Sequence, residues 1–365
     1  MAKIEINGME LARRFYFEAV LPIVVESGIG AHAAGRLDSG SEVIGFDDDV
    51  SRDHDWGPRF TLFVPDELPM DHRIRLDTAL TERLPRQFAG YLTNFAQPVP
   101  EDPGTRLMAE PEGGVIDHRV EIASPVEFFS EYAGLDIGKS PSIGDWLATP
   151  AQILLTISTG PVFHDEIGLA EIQRRFEFYP EDVRLYLMAS EWSAISEEEP
   201  FVGRAGSTGD DVGSALIAAR MVQHAMRLCF LIEKRYPPYS KWFGAAFNRL
   251  ACADVLSPMI RSTLRSSDWR ERERSLVELL GSIGDAQNAL GIAPPVDPAP
   301  RKFFGRDITV LGSDRFAKAL VDAIESPEVV KLAGRRLVGG IDTFSDSSDL
   351  LNDIDRRAAL KSLYR

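Results

Sequence analysis

Helical periodicity runs through most of the chain after residue 135, and it limits the possible folds more than any other feature of the sequence. Apolar residues recur there every three to four positions, as on the buried face of an amphipathic helix. The predicted helices are Trp146–Ser158, Leu169–Phe178, Pro180–Ile195, Gly213–Tyr236, Lys241–Leu250 and Glu271–Leu290. A proline-rich stretch at residues 293–300 predicts a stiff linker, followed by a short strand at Asp307–Leu311 and one or two helices.

The first part of the chain has a different pattern, in which short strands alternate with helices. The predicted elements are a helix over residues 8–28, a strand at Phe60–Val64, a helix at Asp71–Leu84, a loop over residues 97–114 and a strand within Val115–Ala123. We therefore predict an α+β protein, with a small sheet and its helices in residues 1–135 and a larger, mainly helical domain in residues 136–365.

The balance of charged residues argues against several classes of protein. The 365 residues include 40 Lys and Arg against 56 Asp and Glu, which gives a formal net charge of −16 at pH 7. Binding to duplex nucleic acid depends on clustered cations, so a large nucleic-acid partner is not expected. Two cysteines are too few for a disulfide framework, and the apolar stretches are shorter than the about 18 residues that span a membrane. We expect a soluble, cytoplasmic protein without a membrane segment.

One short segment carries the strongest chemical signal. Gly40-Ser41 predicts a tight turn whose backbone N–H groups and hydroxyl can approach an anion such as a phosphate, especially if a helix starts at Ser41. Asp53 and Asp55 follow it, and on a strand their carboxylates lie on one face. Two like charges held so close need a cation between them. Mg²⁺ is the natural cation, because it prefers oxygen ligands and leaves places for substrate phosphates.

These residues resemble the signature of the nucleotidyltransferase superfamily that includes DNA polymerase β and kanamycin nucleotidyltransferase. In that signature a Gly-Ser or Gly-Gly turn precedes an acidic-x-acidic strand. A longer set of residues, spread over nearly the whole chain, is similar to the uncharacterised bacterial DUF4037 group. Its segments are Gly40–Ser41, Gly45–Asp48, Ser51–Arg59, Val162–Asp165, Tyr179–Val183, Pro200–Arg204 and Tyr236–Trp242.

The resemblance implies a small mixed sheet with helices that carries three carboxylates for Mg²⁺, and a helical second domain that closes a cleft. Asp53 and Asp55 are the first two carboxylates. Glu121 is the best candidate for the third, with Asp117 in reserve. The resemblance further implies that a nucleotide is moved from an NTP, with ATP as the first candidate, to a hydroxyl group of an acceptor.

Four further residues are predicted to bind the nucleotide. Gly40 and Ser41 would hold the leaving pyrophosphate end, while Arg59 and Lys241 would contact the phosphates as cations. The acidic composition favours a small-molecule acceptor, and tRNA is kept as an alternative acceptor. The number of chains in the functional assembly is left open.

Other functions fit the same sequence. The fold could serve as a non-catalytic nucleotide-binding or regulatory module, whose mark would be the loss of the metal-binding carboxylates. His164-Asp165 also spells the His-Asp pair of metal-dependent phosphohydrolases, but no histidine lies three or four residues from another to complete a helical metal site. Each of these carboxylates also has an interpretation without a chemical role. Asp53 and Asp55 would lie on an exposed strand edge, and Glu121 on an exposed strand face.

Overall fold

The fold class predicted from the sequence is confirmed. The structure, a computed structural model, shows an α+β protein with a small mixed sheet near the N-terminus and a larger helical region in the C-terminal part. It describes residues 6–48, 56–98, 106–111 and 115–365.

Short strands and longer helices make up the described chain. The strands are β1 Ala33–Gly35, β2 Arg59–Phe63, β3 Gln87–Phe88, β4 Tyr91–Leu92, β5 Arg119–Ala123, β6 Val162–Asp165, β7 Arg301–Lys302 and β8 Thr309–Val310. The helices up to residue 206 are α1 Gly8–Phe15, α2 Leu21–Ser27, α3 Met70–Arg83, α4 Pro125–Phe128, α5 Ile143–Ala148, α6 Ala151–Thr159, α7 Leu169–Arg174 and α8 Glu181–Gly206. The later helices are α9 Asp211–Ile232, α10 Ser240–Phe247, α11 Ala253–Arg265, α12 Trp269–Ala289, α13 Asp314–Asp322, α14 Pro327–Ala333, α15 Ile341–Phe344, α16 Ser348–Asn352 and α17 Ile354–Leu360. Two π-helical segments, Tyr16–Val20 and Phe129–Ala133, follow α1 and α4, and a 3₁₀ turn, Lys361–Tyr364, follows α17.

These elements fall into two compact units. The first consists of residues 1–140 and 153–177, and the second of residues 141–152 and 178–365. The chain therefore returns to the first unit along α6, and β6 and α7 belong to that unit.

A four-stranded mixed sheet is the centre of the first unit, in the order β5-β2-β1-β6. β2 and β5 run parallel, with Thr61 opposite Glu121, whereas β1 is antiparallel to both β2 and β6. Side chains that oppose each other across a strand pair point to the same face of the sheet. The register therefore gives Thr61 and Glu121 a common face, while Ala34 and its partners Leu62 and His164 lie on the other face.

Helices cover both faces of this sheet. On one face, Phe15 of α1 and Tyr16 of the π segment pack edge-on against Phe60 of β2, with ring centroids 6.2 and 5.5 Å apart. Both residues are fully buried although they are consecutive, and the π turn that starts at Tyr16 widens the helix at this point. On the opposite face, Phe63 packs against Phe128 of α4 at 5.1 Å.

Two buried charged residues of α8 organise the second unit. Arg184 is 2% exposed and donates its Nε–H to the carbonyl of Leu231 at 2.7 Å, near the end of α9. A guanidinium there satisfies a carbonyl that the helix end leaves without an intrahelical partner. Glu199 accepts from the backbone N–H groups of Leu311 and Ser313 at 2.9 and 2.8 Å, which fixes the chain after β8 to α8.

Among the described residues, α9 is the one helix long and apolar enough to cross a membrane, with a mean hydropathy of 1.4 in its most apolar window. It packs against α8 and α12, and 44% of that window is buried inside the protein. Core helices meet the same criteria, so α9 is weak evidence for a membrane span.

Several predicted elements differ from those observed. The helix predicted over Trp146–Ser158 is wrong as a single element, because Thr149 takes an extended conformation before Pro150 and separates α5 from α6. Proline disfavours helical backbone at the residue that precedes it. The sequence did not predict β1, β6 or α11, and residues 301–365 form five short helices where one or two were expected.

Candidate functional site

A polar cavity of about 320 Å³ lies in the first unit, at the edge of the sheet where β2 and β5 begin. Its lining residues are Arg36, Asp38, Arg59, Phe60, Thr61, Arg106, His118, Arg119, Val120 and Glu121. Arg59 and Glu121, both predicted from the sequence as site residues, are thus brought together. Several arginines beside two carboxylates suit an anion that carries an associated cation.

Two buried arginines line this cavity within a network of ion pairs. Arg36 and Arg59 are 1% and 3% exposed. Arg36 donates to Asp38 Oδ2 at 2.9 Å and to Glu42 Oε1 at 2.5 Å, and Arg59 donates to the carbonyl of Ser39 at 2.8 Å. Burial alone would lower the pKa of Arg36, but Asp38 and Glu42 outweigh it and raise that pKa. For Arg59 burial prevails, and its pKa is lowered. Buried charges are tolerated only when they are paired in this way.

Two buried polar atoms of the network have no hydrogen-bond partner in the part of the chain that the structure describes. They are Oδ1 of Asp38 and Nε of Arg59. Oδ1 lies 2.8 Å from Nη1 of Arg36, within ion-pair distance but outside hydrogen-bond geometry. A buried polar atom without a partner costs about 1–3 kcal/mol. A ligand that offers an acceptor to Arg59 and a cation to Asp38 would remove both costs.

Glu121 faces the cavity from β5, opposite Thr61 of β2. Solvent reaches this side chain, but it lies in a concave site with protein around it. Burial and, after it, the negative charge of Asp38 raise the pKa of the Glu121 carboxyl above its ordinary value. A carboxylate with a raised pKa holds a proton more readily, which suits a general base.

The Gly40-Ser41 turn is present, but it is not the start of a helix. The residues after it form consecutive turns, in which the N–H of Val43 donates to the carbonyl of Gly40 at 3.1 Å. Gly40 has a φ of +150°, and a Cβ placed there would lie 2.6 Å from the Glu42 carboxylate. Glycine is required at this position so that Glu42 can reach Arg36. Neither residue of the turn is among those that line the cavity, so their contact with phosphate stays a prediction.

Asp53 and Asp55, the predicted metal ligands, lie outside the described residues. The chain directly after them is fixed at the buried Trp56, whose indole N–H donates to Asp47 Oδ1 at 3.0 Å. The convergence of Asp53 and Asp55 with Glu121 around one metal ion stays a prediction.

Asp117 and Lys241 each have a partner of their own. Asp117, the reserve for the third carboxylate, forms an ion pair with Arg106, and its backbone N–H donates to Asn94 Oδ1 at 2.8 Å. Lys241 is an exposed residue of α10 in the second unit, and its ammonium lies 5.1 Å from the ring centroid of Trp242. Phosphate binding by Lys241 stays a prediction.

Arg36, Asp38 and Glu42 were not predicted from the sequence as site residues. A signal was present, because Arg36 and Asp38 alternate with an apolar residue directly before the Gly40-Ser41 turn. Charged residues in a polar segment are usually solvated, however, and a sequence does not distinguish a buried ion-pair network from surface charge.

The two residues of the His164-Asp165 pair have separate roles. They are neighbours on β6, so their side chains point to opposite faces of the sheet. The Asp165 carboxylate accepts from the backbone N–H groups of residues 167–170 at distances between 2.9 and 3.1 Å. Burial alone would raise the pKa of Asp165, but these bonds outweigh it and lower that pKa. Asp165 therefore satisfies the free N–H groups at the start of α7.

Asp165→Ala should destabilise the protein by about 1–2 kcal/mol at neutral pH, since it removes this cap. Because the pKa of Asp165 is lowered on folding, its stabilisation is present above the ordinary value of 3.8 and is lost as the pH falls through the folded value. Urea denaturation at neutral and acid pH measures both effects, with the exposed Glu177→Ala as control. A free energy of unfolding equal to that of the wild type at neutral pH would contradict the capping role.

One protein family matches part of the chain. A family model described as Domain of unknown function (DUF4037) matches residues 146–243. This range includes β6, the helices α6 to α9 and the first half of α10, but not the segment with the Gly-Ser turn and the Asp-x-Asp pair. No curated protein and no solved structure gives a significant match. Over residues 146–243 the chain is therefore similar to a family whose function is unknown.

Proposed function

We propose that the protein transfers a nucleotide from an NTP, with ATP as the first candidate donor, to a hydroxyl group of a small-molecule acceptor in a Mg²⁺-dependent reaction. One observation carries this proposal: a cavity lined by Asp38 and Arg59, each of which has one buried polar atom without a hydrogen-bond partner among the described residues. A metal–nucleotide complex offers a cation to the carboxylate and phosphate oxygens to the guanidinium.

The residue types around the cavity fit the predicted metal. Asp53, Asp55 and Glu121 would hold Mg²⁺, and of these Glu121 lines the cavity together with a further carboxylate, Asp38. Carboxylate oxygens are the protein ligands that Mg²⁺ prefers. When bound, Mg²⁺ neutralises the negative charge that develops on the phosphates in the transition state.

Side chains of the protein would orient the phosphates, accept the proton and stabilise the leaving group. Arg59 and Arg119 lie side by side at the start of β2 and β5, where they can orient the phosphates of the donor. Glu121 would accept the proton of the acceptor hydroxyl while that oxygen forms a bond to the α-phosphorus and the bond to pyrophosphate breaks. The negative charge on the departing pyrophosphate would be stabilised by the arginines.

The net charge of the protein indicates which kind of acceptor is favoured. A net charge of −16 repels polyanions over long distances and attracts cations. A neutral or cationic small molecule is therefore favoured as acceptor over tRNA, which is a polyanion.

Titration calorimetry with Mg²⁺ and ATP tests the proposal on the wild type and on Asp55→Asn, with the exposed Asp66→Asn as matched control. We expect the wild type and the control to bind ATP only with Mg²⁺, and Asp55→Asn to bind it at least about tenfold more weakly, a loss of about 1.4 kcal/mol. Equal binding by the wild type and Asp55→Asn would contradict the metal role, and no binding by either would contradict nucleotide binding itself. Binding without release of pyrophosphate in the presence of small-molecule or tRNA fractions would favour the non-catalytic module.

A further inference from the structure

Three potential metal ligands meet in the first unit on the face of the sheet that α1 and α2 cover. Ala34 of β1 pairs with His164 of β6, and the backbone N–H of Glu166 donates to the carbonyl of His32 at 3.0 Å. The antiparallel pairing thus places His32 opposite Glu166, and residues two apart on one strand share a face. His32, His164 and Glu166 therefore point to the same side because of the fold.

The distances between their polar atoms suit a single metal ion. His164 Nε2 lies 3.2 Å from Glu166 Oε2, and His32 Nδ1 lies 3.7 Å from the same oxygen. The three candidate ligand atoms lie within 4.8 Å of one another. Histidine nitrogen and carboxylate oxygen bind Zn²⁺ at about 2.0–2.2 Å, so the ligand atoms of a tetrahedral site are about 3.3 Å apart. Small side-chain shifts would bring all three into coordination.

The hydrogen bonding of the two histidines supports the same conclusion. His164 Nε2 is buried, and its 3.2 Å contact with Glu166 Oε2 is within ion-pair distance but outside hydrogen-bond geometry. His32 is 4% exposed, and its Nε2 lies 2.8 Å from the hydroxyl of Tyr16. Nδ1 of His32 lies 3.1 Å from the carbonyl of Gly30, and binding of a metal through Nδ1 would replace this contact. Nε2 would then carry the proton and donate it to Tyr16, which is the outer-shell contact typical of metal-bound histidine.

We propose that His32, His164 and Glu166 form a zinc site with a fourth position open to solvent. Two histidines with one glutamate are a ligand set typical of Zn²⁺ sites that retain an open position. Access is available from the glutamate side, because the Glu166 side chain is 50% exposed while that of His32 is 5% exposed.

This zinc site is separate from the nucleotide cavity. Tyr16 packs against Phe60 and His164, on the face opposite to Thr61 and Glu121. The zinc proposal therefore does not depend on the proposed function, and the two can fail independently.

The test is a zinc titration of the full chain after treatment with a chelator, in competition with a chromophoric chelator. We expect the wild type to bind one Zn²⁺ per chain, and His164→Ala and Glu166→Gln to lose this binding. Tyr16→Phe, which keeps the ring and removes the hydroxyl, should weaken it by about 10–100-fold. His72→Ala, a partly exposed histidine of the same unit, is the matched control and should bind zinc as the wild type does.

A second measurement, of thermal stability, shows whether each variant is folded. Zn²⁺ should raise the thermal midpoint of the wild type and of His72→Ala but not that of Glu166→Gln, whose midpoint without metal should be close to the wild-type value. Equal zinc affinity in the wild type, His164→Ala and Glu166→Gln would overturn the proposal, as would a wild type that binds no zinc. Mg²⁺-dependent ATP binding should be unchanged in Glu166→Gln, which separates this test from that of the nucleotide cavity.

Discussion

Glu121→Gln is expected to slow nucleotide transfer by about 10²–10⁴-fold, because an amide cannot accept the proton of the acceptor hydroxyl. The substitution keeps the size of the side chain and its place opposite Thr61, so the cavity should stay intact. The affinity for Mg²⁺ should also fall, because Glu121 is itself a predicted ligand, but the affinities for Mg²⁺ and ATP should fall less than the rate, since Asp53, Asp55 and Arg59 are unchanged. A loss that is larger in the rate than in the affinity identifies an interaction made mainly in the transition state.

The pH profile gives this prediction a second readout. Burial and Asp38 raise the pKa of Glu121, and a general base acts only when it is deprotonated. The wild-type rate should therefore rise with pH as Glu121 loses its proton, and this limb should be missing in Glu121→Gln. Glu67→Gln, an exposed glutamate of the same unit, is the control. A rate for Glu121→Gln within a few-fold of the wild type would remove Glu121 from the mechanism.

The sequence predicted the class of the fold better than the connections within it. Long amphipathic helices such as α9 and α12 are visible because their apolar residues repeat with the period of the helix. β1 and β6 have only three and four residues, too few to show the alternation of a strand. Their pairing joins residues more than a hundred positions apart, and it is long-range contact rather than local propensity that makes them strands.

The residues of the candidate site were likewise predicted only in part. Glu121 was predicted because the family resemblance implies a third carboxylate on a later strand, and Arg59 because it ends the motif segment Ser51–Arg59; the structure places both at one cavity. Arg36 and Glu42 were missed, since the energy of an ion pair depends on its burial, which the sequence does not display. His32 and Glu166 were missed because the two residues come together only through the pairing of β1 with β6.

Glu42→Ala is expected to destabilise the protein by about 3–5 kcal/mol, the cost of removing one partner from a buried ion pair. Glu42 accepts from Arg36 at 2.5 Å and lies 3.4 Å from Arg59, and both guanidinium groups are almost fully buried. Without this carboxylate, Asp38 is the one acidic side chain among the described residues that pairs with these two buried cations. Since proteins are typically stable by about 5–15 kcal/mol, a loss of this size is a large share of the total.

Urea denaturation followed by circular dichroism measures this loss, with Glu67→Ala as the exposed control that should change stability by less than about 0.5 kcal/mol. Glu42→Gln should lie between the two, because the amide oxygen still accepts from Arg36 although the charge is gone. If Glu42→Ala costs less than about 1 kcal/mol, the charges of Arg36 and Arg59 do not depend on Glu42. Solvation by water, as at a protein surface, would then account for their stability. A large loss would instead support the buried pairing of Glu42 with Arg36, for which Gly40 makes room.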